Sequence, residues 1–180
     1  MAESAEWNDA ISYEEFLKTS RENVELIKAR FNDLSINESE QELLTNIQNE
    51  IKILVLGTAR CNDTAGVLPI LARIASMASP KVKLRILDSD KHAEYHQNFR
   101  VNGKRKTPVV LFLSPEYEEL CRWVERPNAA YQIINEKNNP VLEERRNGLK
   151  TLYSDPEIQR QALNELLDLL LRSDYILGRR

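Results

Sequence analysis

Ile51-Lys52-Ile53-Leu54-Val55-Leu56-Gly57-Thr58-Ala59-Arg60-Cys61-Asn62-Asp63-Thr64-Ala65-Gly66-Val67-Leu68-Pro69 reads as an apolar strand that runs through a small-residue turn into a helix. Ile53 to Leu56 form an unbroken apolar run, too short for a helix and suited to a strand buried on both faces of a central sheet. Beyond the turn, Val67, Leu68, Ile70, Leu71, Ile74, Ala75 and Ala78 recur at helical spacing and mark a core-facing side. Cys61 therefore falls at a helix N-terminus, where free backbone N–H groups and the macrodipole favour a thiolate. Arg60 beside it adds positive charge, partly offset by Asp63. A lone cysteine is most often a small buried hydrophobe; a strand-to-helix turn is an exposed place for one, which makes Cys61 a candidate nucleophile.

The surrounding residues resemble the active-site region of the thioredoxin-like superfamily. Pro69 lies eight residues after Cys61, where thioredoxins carry the proline of their active-site helix. Val82-Lys83-Leu84-Arg85-Ile86-Leu87 resembles their next parallel strand, and Thr107-Pro108 before Val109–Leu113 resembles their cis-proline loop and following strand. The resemblance covers about residues 50–127, and the chain as a whole is similar to a bacterial branch of thioredoxin family proteins with helical ends. It implies an α/β thioredoxin-like fold with a central mixed β-sheet flanked by helices. The expected division is a helical N-terminal extension (1–49), a thioredoxin-like core (50–127) and a helical C-terminal extension (128–180), packed as a single domain.

Composition narrows the partners. The 180 residues suit one domain with additions, and a net charge of −3 argues against a binder of nucleic-acid backbones. The acidic opening has no apolar signal core, and no run approaches bilayer length, so a soluble, cytoplasmic protein with no membrane partner is expected. Cys61 and Cys121, with no Cys-x-x-Cys, make neither a disulfide framework nor a zinc site.

Outward from the central stretch, Ser12 and Glu15 form a capping-box pattern that opens a helix of about five turns, with Phe16, Val24, Ile27 and Phe31 inward. A second helix over 38–48 places Leu43, Leu44 and Ile47 on one side. After the Ser79-Pro80 break and the second strand, 92–99 reads as a short solvated helix. His92 and His96 share a face at i, i+4, but no suitably spaced carboxylate or thiol completes a metal site, and none is expected. Asn102-Gly103-Lys104-Arg105-Lys106 is a basic turn which the resemblance sets beside Cys61, where it would attract acidic partners. Val109–Leu113 and Leu120–Val124 form a hairpin with Cys121 as a buried structural thiol. A helical segment from Asn139-Pro140 through Tyr153 follows. Ser154-Asp155-Pro156-Glu157 then starts a final helix whose buried face is Leu163, Leu166, Leu167, Leu170 and Leu171.

Dithiol thioredoxins attack a substrate disulfide with one cysteine and resolve the mixed disulfide with a second. The motif here is Cys61-Asn62-Asp63-Thr64: the attacking residue is present and Thr64 replaces the resolving one. The resemblance thus assigns Cys61 and Thr64 to catalysis, with the Thr64 hydroxyl available to bond a thiolate, and Arg60, Thr107 and Pro108 to substrate binding. Two departures weaken ordinary reductase activity: Val55 stands where the family has a buried aspartate, and Arg60 where tryptophan is common. Two functions follow. One is monothiol exchange with a protein or low-molecular-weight disulfide, completed by an external thiol such as glutathione and needing no cofactor; the other is a non-catalytic binding or scaffold protein on the same fold.

Overall fold

A computed structural model describes residues 2–136 and 145–178. Four strands form one mixed sheet in the order β2-β1-β3-β4: β1 (Ile51–Gly57), β2 (Val82–Asp88), β3 (Val109–Leu113) and β4 (Glu119–Val124). β1 is parallel to β2 and antiparallel to β3, which pairs antiparallel with β4. All seven residues of β1 are buried. The period-2 alternation of a strand explains how: Ile51, Ile53 and Val55 enter one apolar cluster, and Leu54 and Leu56 enter another on the opposite face.

The first face is covered by the helix that follows the quoted turn, and by others from both ends of the chain. The described helices, in chain order, are α1 (Ala2–Asp9), α2 (Tyr13–Thr19), α3 (Val24–Asp33), α4 (Glu38–Thr45), α5 (Asn62–Met77), α6 (Ala93–His96), α7 (Asn128–Asn135), α8 (Arg145–Leu152) and α9 (Pro156–Leu177). Ile27 of α3, Leu44 of α4, Leu68 and Leu71 of α5, and Leu163, Leu166 and Leu170 of α9 share the larger cluster with the sheet. Trp7 of α1, Tyr95 of α6 and Phe99, in the 3-10 turn Gln97–Phe99, cover the second face. Pro156 occupies the first turn of α9 after the Asp155 cap, whose side chain accepts from Glu157 N at 2.9 Å.

Several elements differ from the sequence-based expectations. The single helix expected from Ser12 is two, because Asn23 takes a left-handed conformation (φ 57°) and its Nδ2 donates to the Ala59 carbonyl at 2.8 Å. That break ties the α2–α3 joint to the turn before Cys61. α1 was not anticipated; Trp7 anchors it under the Arg85 guanidinium. Leu43 is 41% exposed rather than inward. The 92–99 segment is not solvated, since Tyr95, His96 and Phe99 are buried. Cys121 and Leu171 are only half-buried. The start expected at Asn139-Pro140 lies outside the described residues.

Candidate active site

β1 ends at Gly57, and Cys61 is the N-cap residue of α5, with Ala65 N bonded to the Cys61 carbonyl at 2.9 Å. Its half-buried sulfur faces the loop before β3. Thr107 Oγ1 donates to Cys61 Sγ at 3.3 Å, and the thiol lies 3.6 Å from the Thr107 carbonyl oxygen. The Thr107–Pro108 bond is cis. One loop residue thus touches the sulfur with both its backbone and its side chain.

Around the sulfur is a cleft of about 550 Å³ lined by Thr58, Arg60, Ser89, Asp90, Lys104 and Arg105, besides Cys61, His96 and Thr107. Arg60 reaches Asp90 at 2.6 Å, so its charge is partly engaged by a carboxylate instead of resting on the sulfur. Asp90 N and Lys91 N in turn donate to Asp88 Oδ1, which caps the end of β2. Thr64 is fully buried beneath Gly57, and its hydroxyl has no hydrogen-bond partner among the described residues. The hydroxyl beside Cys61 is that of Thr107.

Behind the first turn of α5 lies a buried ionic network. Asp63, 4% exposed, accepts from Arg126 at 2.7 Å and from the Tyr153 hydroxyl at 2.9 Å. Arg126 also reaches Glu125 at 2.8 Å, and Glu125 binds Lys106 at 3.0 Å and accepts from Tyr131. Burial pushes the Asp63 carboxyl above its ordinary value against the pull of Arg126 and the Tyr153 hydroxyl. At Glu125 burial acts in the same sense, but the Tyr131 hydrogen bond and the charges of Arg126 and Lys106 outweigh it and hold that carboxyl low. Tyr153 is driven well above its usual value, first by burial, then by the Asp63 charge and hydrogen bond, with a smaller contribution from Cys61. Glu125 holds a left-handed backbone (φ 68°) that costs a non-glycine residue about 1–2 kcal/mol. Its N–H donates to the Pro108 carbonyl at 2.8 Å, so the network also braces the Thr107-Pro108 loop.

The structure brings Arg60, Cys61, Thr107 and Pro108 to one end of the sheet, with Thr64 in the layer beneath. The sequence pattern does not point to Glu125, Arg126, Tyr131 or Tyr153, and it marks Asp63 only as a local counter-charge. One signal existed. Gly66 sits inside α5, where glycine costs about 1 kcal/mol against alanine and calls for a packing reason. A Cβ there would lie 2.3–2.5 Å from the Tyr153 ring, so Gly66 is what lets Tyr153 reach Asp63. His92 and His96 do not converge: His92 pairs with Glu6 at 2.8 Å, whereas His96 Nε2 bonds the Lys106 carbonyl at 2.8 Å. Asp9 joins Glu6 and His92 in one cluster of possible ligand atoms, drawing its carboxylates from α1, which sequence spacing could not reveal.

The sequence matches the family model described as Thioredoxin over residues 10–139. The chain belongs to the thioredoxin family. Its fold is similar to the crystal structure of a protein of unknown function, PA1234, from Pseudomonas aeruginosa, with a TM-score of 0.70 at 18% identity over 91% of this chain and 93% of that one. An HIV epitope-scaffold aligns with a TM-score of 0.58 at 19% identity, covering 89% of this chain and 98% of its own. No curated protein matches the sequence. Within this thioredoxin family chain, no described helix is long and apolar enough to cross a membrane.

Proposed function

We propose that this thioredoxin family protein is a cytoplasmic, bacterial-type monothiol exchange protein acting through Cys61. What carries the proposal is the placement of a half-buried thiol at the N-terminus of α5, in the lining of a cleft and in contact with Thr107. The sulfur attacks one sulfur of a partner disulfide, forming a Cys61 mixed disulfide and releasing the other half as a thiolate, which takes up the proton Cys61 gives up. An external thiol such as glutathione then attacks the mixed disulfide, forming a new disulfide with the captured half and restoring Cys61. No internal thiol replaces it. Cys121 pairs with Phe112, opposite Ile53, so it stands roughly 13 Å along the sheet from the Gly57 end of β1. Disulfide geometry needs the two Cα atoms within about 7 Å.

Long-lived mixed disulfides are the expected consequence. Wild type, Cys61→Ser, Cys121→Ser and Thr64→Cys are incubated with a disulfide peptide and followed by intact mass. An adduct on wild type and Cys121→Ser, absent from Cys61→Ser and self-released by Thr64→Cys, supports the mechanism. Adducts through Cys121, or none at all, overturn it and leave a non-catalytic binding or scaffold protein on a thioredoxin fold.

A further inference from the structure

The lining of the Cys61 cleft carries information about what enters it. Besides the sulfur it consists of hydroxyl, imidazole and charged residues, with no Val, Leu, Ile, Met, Phe, Trp or Tyr. Three cations, Arg60, Lys104 and Arg105, face one carboxylate, Asp90, on a chain whose net charge is −3. Among the described residues Asp90 takes up Arg60, while Lys104 and Arg105 are exposed and in no ion pair.

The two free cations sit on a constrained loop. Val101 and Lys104 pair across a tight turn, 2.9 and 3.1 Å in the two directions, in which Asn102 (φ 47°) and Gly103 (φ 72°) both take positive φ. Arg100 Nε donates to the Gly103 carbonyl at 2.8 Å. On the other side, buried His96 bonds the Lys106 carbonyl, and Lys106 points away into the Glu125 network. Lys104 and Arg105 are thereby left at the cleft while their neighbour is used to anchor the loop.

We infer that the cleft selects a small hydrophilic disulfide or thiol bearing carboxylates, with Lys104 and Arg105 as its specificity-determining residues, rather than an apolar polypeptide segment. The inference rests on the exchange chemistry proposed for Cys61. A lining without aliphatic or aromatic side chains gives an apolar chain little to pack against, whereas cations beside the reacting sulfur raise the local concentration of an anion and the rate at which it arrives. A volume of about 550 Å³ is also in the range of small-molecule sites.

The test uses the full-length Cys121→Ser protein and three small disulfides: dithiodipropionate (anionic), bis-hydroxyethyl disulfide (neutral) and cystamine (cationic). Each rate of Cys61 modification is divided by that of the same disulfide with a free thiol, which removes intrinsic reactivity. The expected result is a normalised rate for the dianion about tenfold above the neutral compound at low ionic strength, with the cation slowest and the spread collapsing in about 0.5 M salt. In Lys104→Gln/Arg105→Gln the anion-to-neutral ratio should fall towards one. Equal normalised rates, a ratio unchanged in the double variant, or an apolar peptide disulfide that outruns the dianion would overturn the inference while leaving Cys61 exchange standing. Failure of Cys61 to react with any disulfide would overturn both.

Discussion

Two threonines lie close to Cys61 in sequence or in space, and they predict opposite outcomes. Thr107 Oγ1 donates to Sγ, and a hydrogen bond to an ionising sulfur contributes about 1.5–3 kcal/mol. Thr107→Val should therefore slow Cys61 exchange by roughly tenfold to a hundredfold, and Thr107→Ser should restore it. Thr64 buries a hydroxyl with no hydrogen-bond partner among the described residues, so the near-isosteric Thr64→Val should leave the exchange rate unchanged and stabilise the fold by up to about 1 kcal/mol. A slowed Thr64→Val would return that residue to the catalytic role its place in the motif suggests. The third residue of the motif makes a pH prediction. The Asp63 carboxyl is raised on folding, so its contribution to stability is complete below the ordinary value of 3.8 and is lost as pH rises through the raised one. Glu125 is lowered and has the opposite sign: its contribution is present above 4.5 and lost as pH falls through the lowered value. Denaturant melts from pH 4 to pH 8 should show Asp63→Asn costing more at the acid end than at neutrality. A cost that grew with pH would mean that the Arg126 pairing outweighs burial.

At the scale of the element, α5 carries both the chemistry and the main packing of the sheet. Its N-terminus, Pro69 and apolar stripe were legible in sequence because helical periodicity and strand runs are local patterns that burial enforces. What was not legible is what the polar side chains of its first turn do. Asp63 meets partners 63 and 90 residues further along the chain, and no local pattern encodes a long-range ion pair. For the same reason sequence spacing does not encode the cluster of Glu6, Asp9 and His92, and the α2–α3 break turns on one Asn23 contact with Ala59. Gly66 is the place to test whether α5 and Tyr153 form a unit. Gly66→Ala gains intrinsic helix propensity of about 1 kcal/mol but drives a methyl into the buried Tyr153 ring. The expected net is destabilisation by about 1–3 kcal/mol, as in overpacked cores. Gly66→Ala combined with Tyr153→Leu should cost less than the sum of the two changes, measured by a double-mutant cycle. Strict additivity would show that the ring moves aside freely.

For the whole molecule, the ends of the chain contribute to the same core as the central strands. Leu163, Leu166, Leu167 and Leu170 of α9 are buried in the cluster that holds Ile53, Val55 and Phe112, and Glu165 accepts from Trp123 Nε1 of β4 at 2.7 Å and from Asn128 N of α7 at 3.0 Å. Near the end of α9, Asp174 accepts from Asn49 N at 2.8 Å and from Asn49 Nδ2 at 2.9 Å, tying the helix to the segment that leads into β1. On the other face, Trp7 and Ala10 cover β1 and β3, and Ile11 pairs with Ile86 to close the open edge of β2. The sequence pattern located α9 but could not say that the sheet depends on it, because an amphipathic stripe shows that a face is buried without showing what buries it. Each buried leucine of α9 contributes about 1.5–3 kcal/mol, so four of them match the 5–15 kcal/mol by which a whole domain is stable. Residues 50–127 alone should therefore fail to fold, and so should a chain ending at Ser154, giving no cooperative thermal transition by circular dichroism. Asp174→Ala in the full chain should cost only about 1–3 kcal/mol and keep a single transition. If the chain ending at Ser154 melted cooperatively, α9 would be an appendage to the thioredoxin fold, and the Cys61 site would not need it.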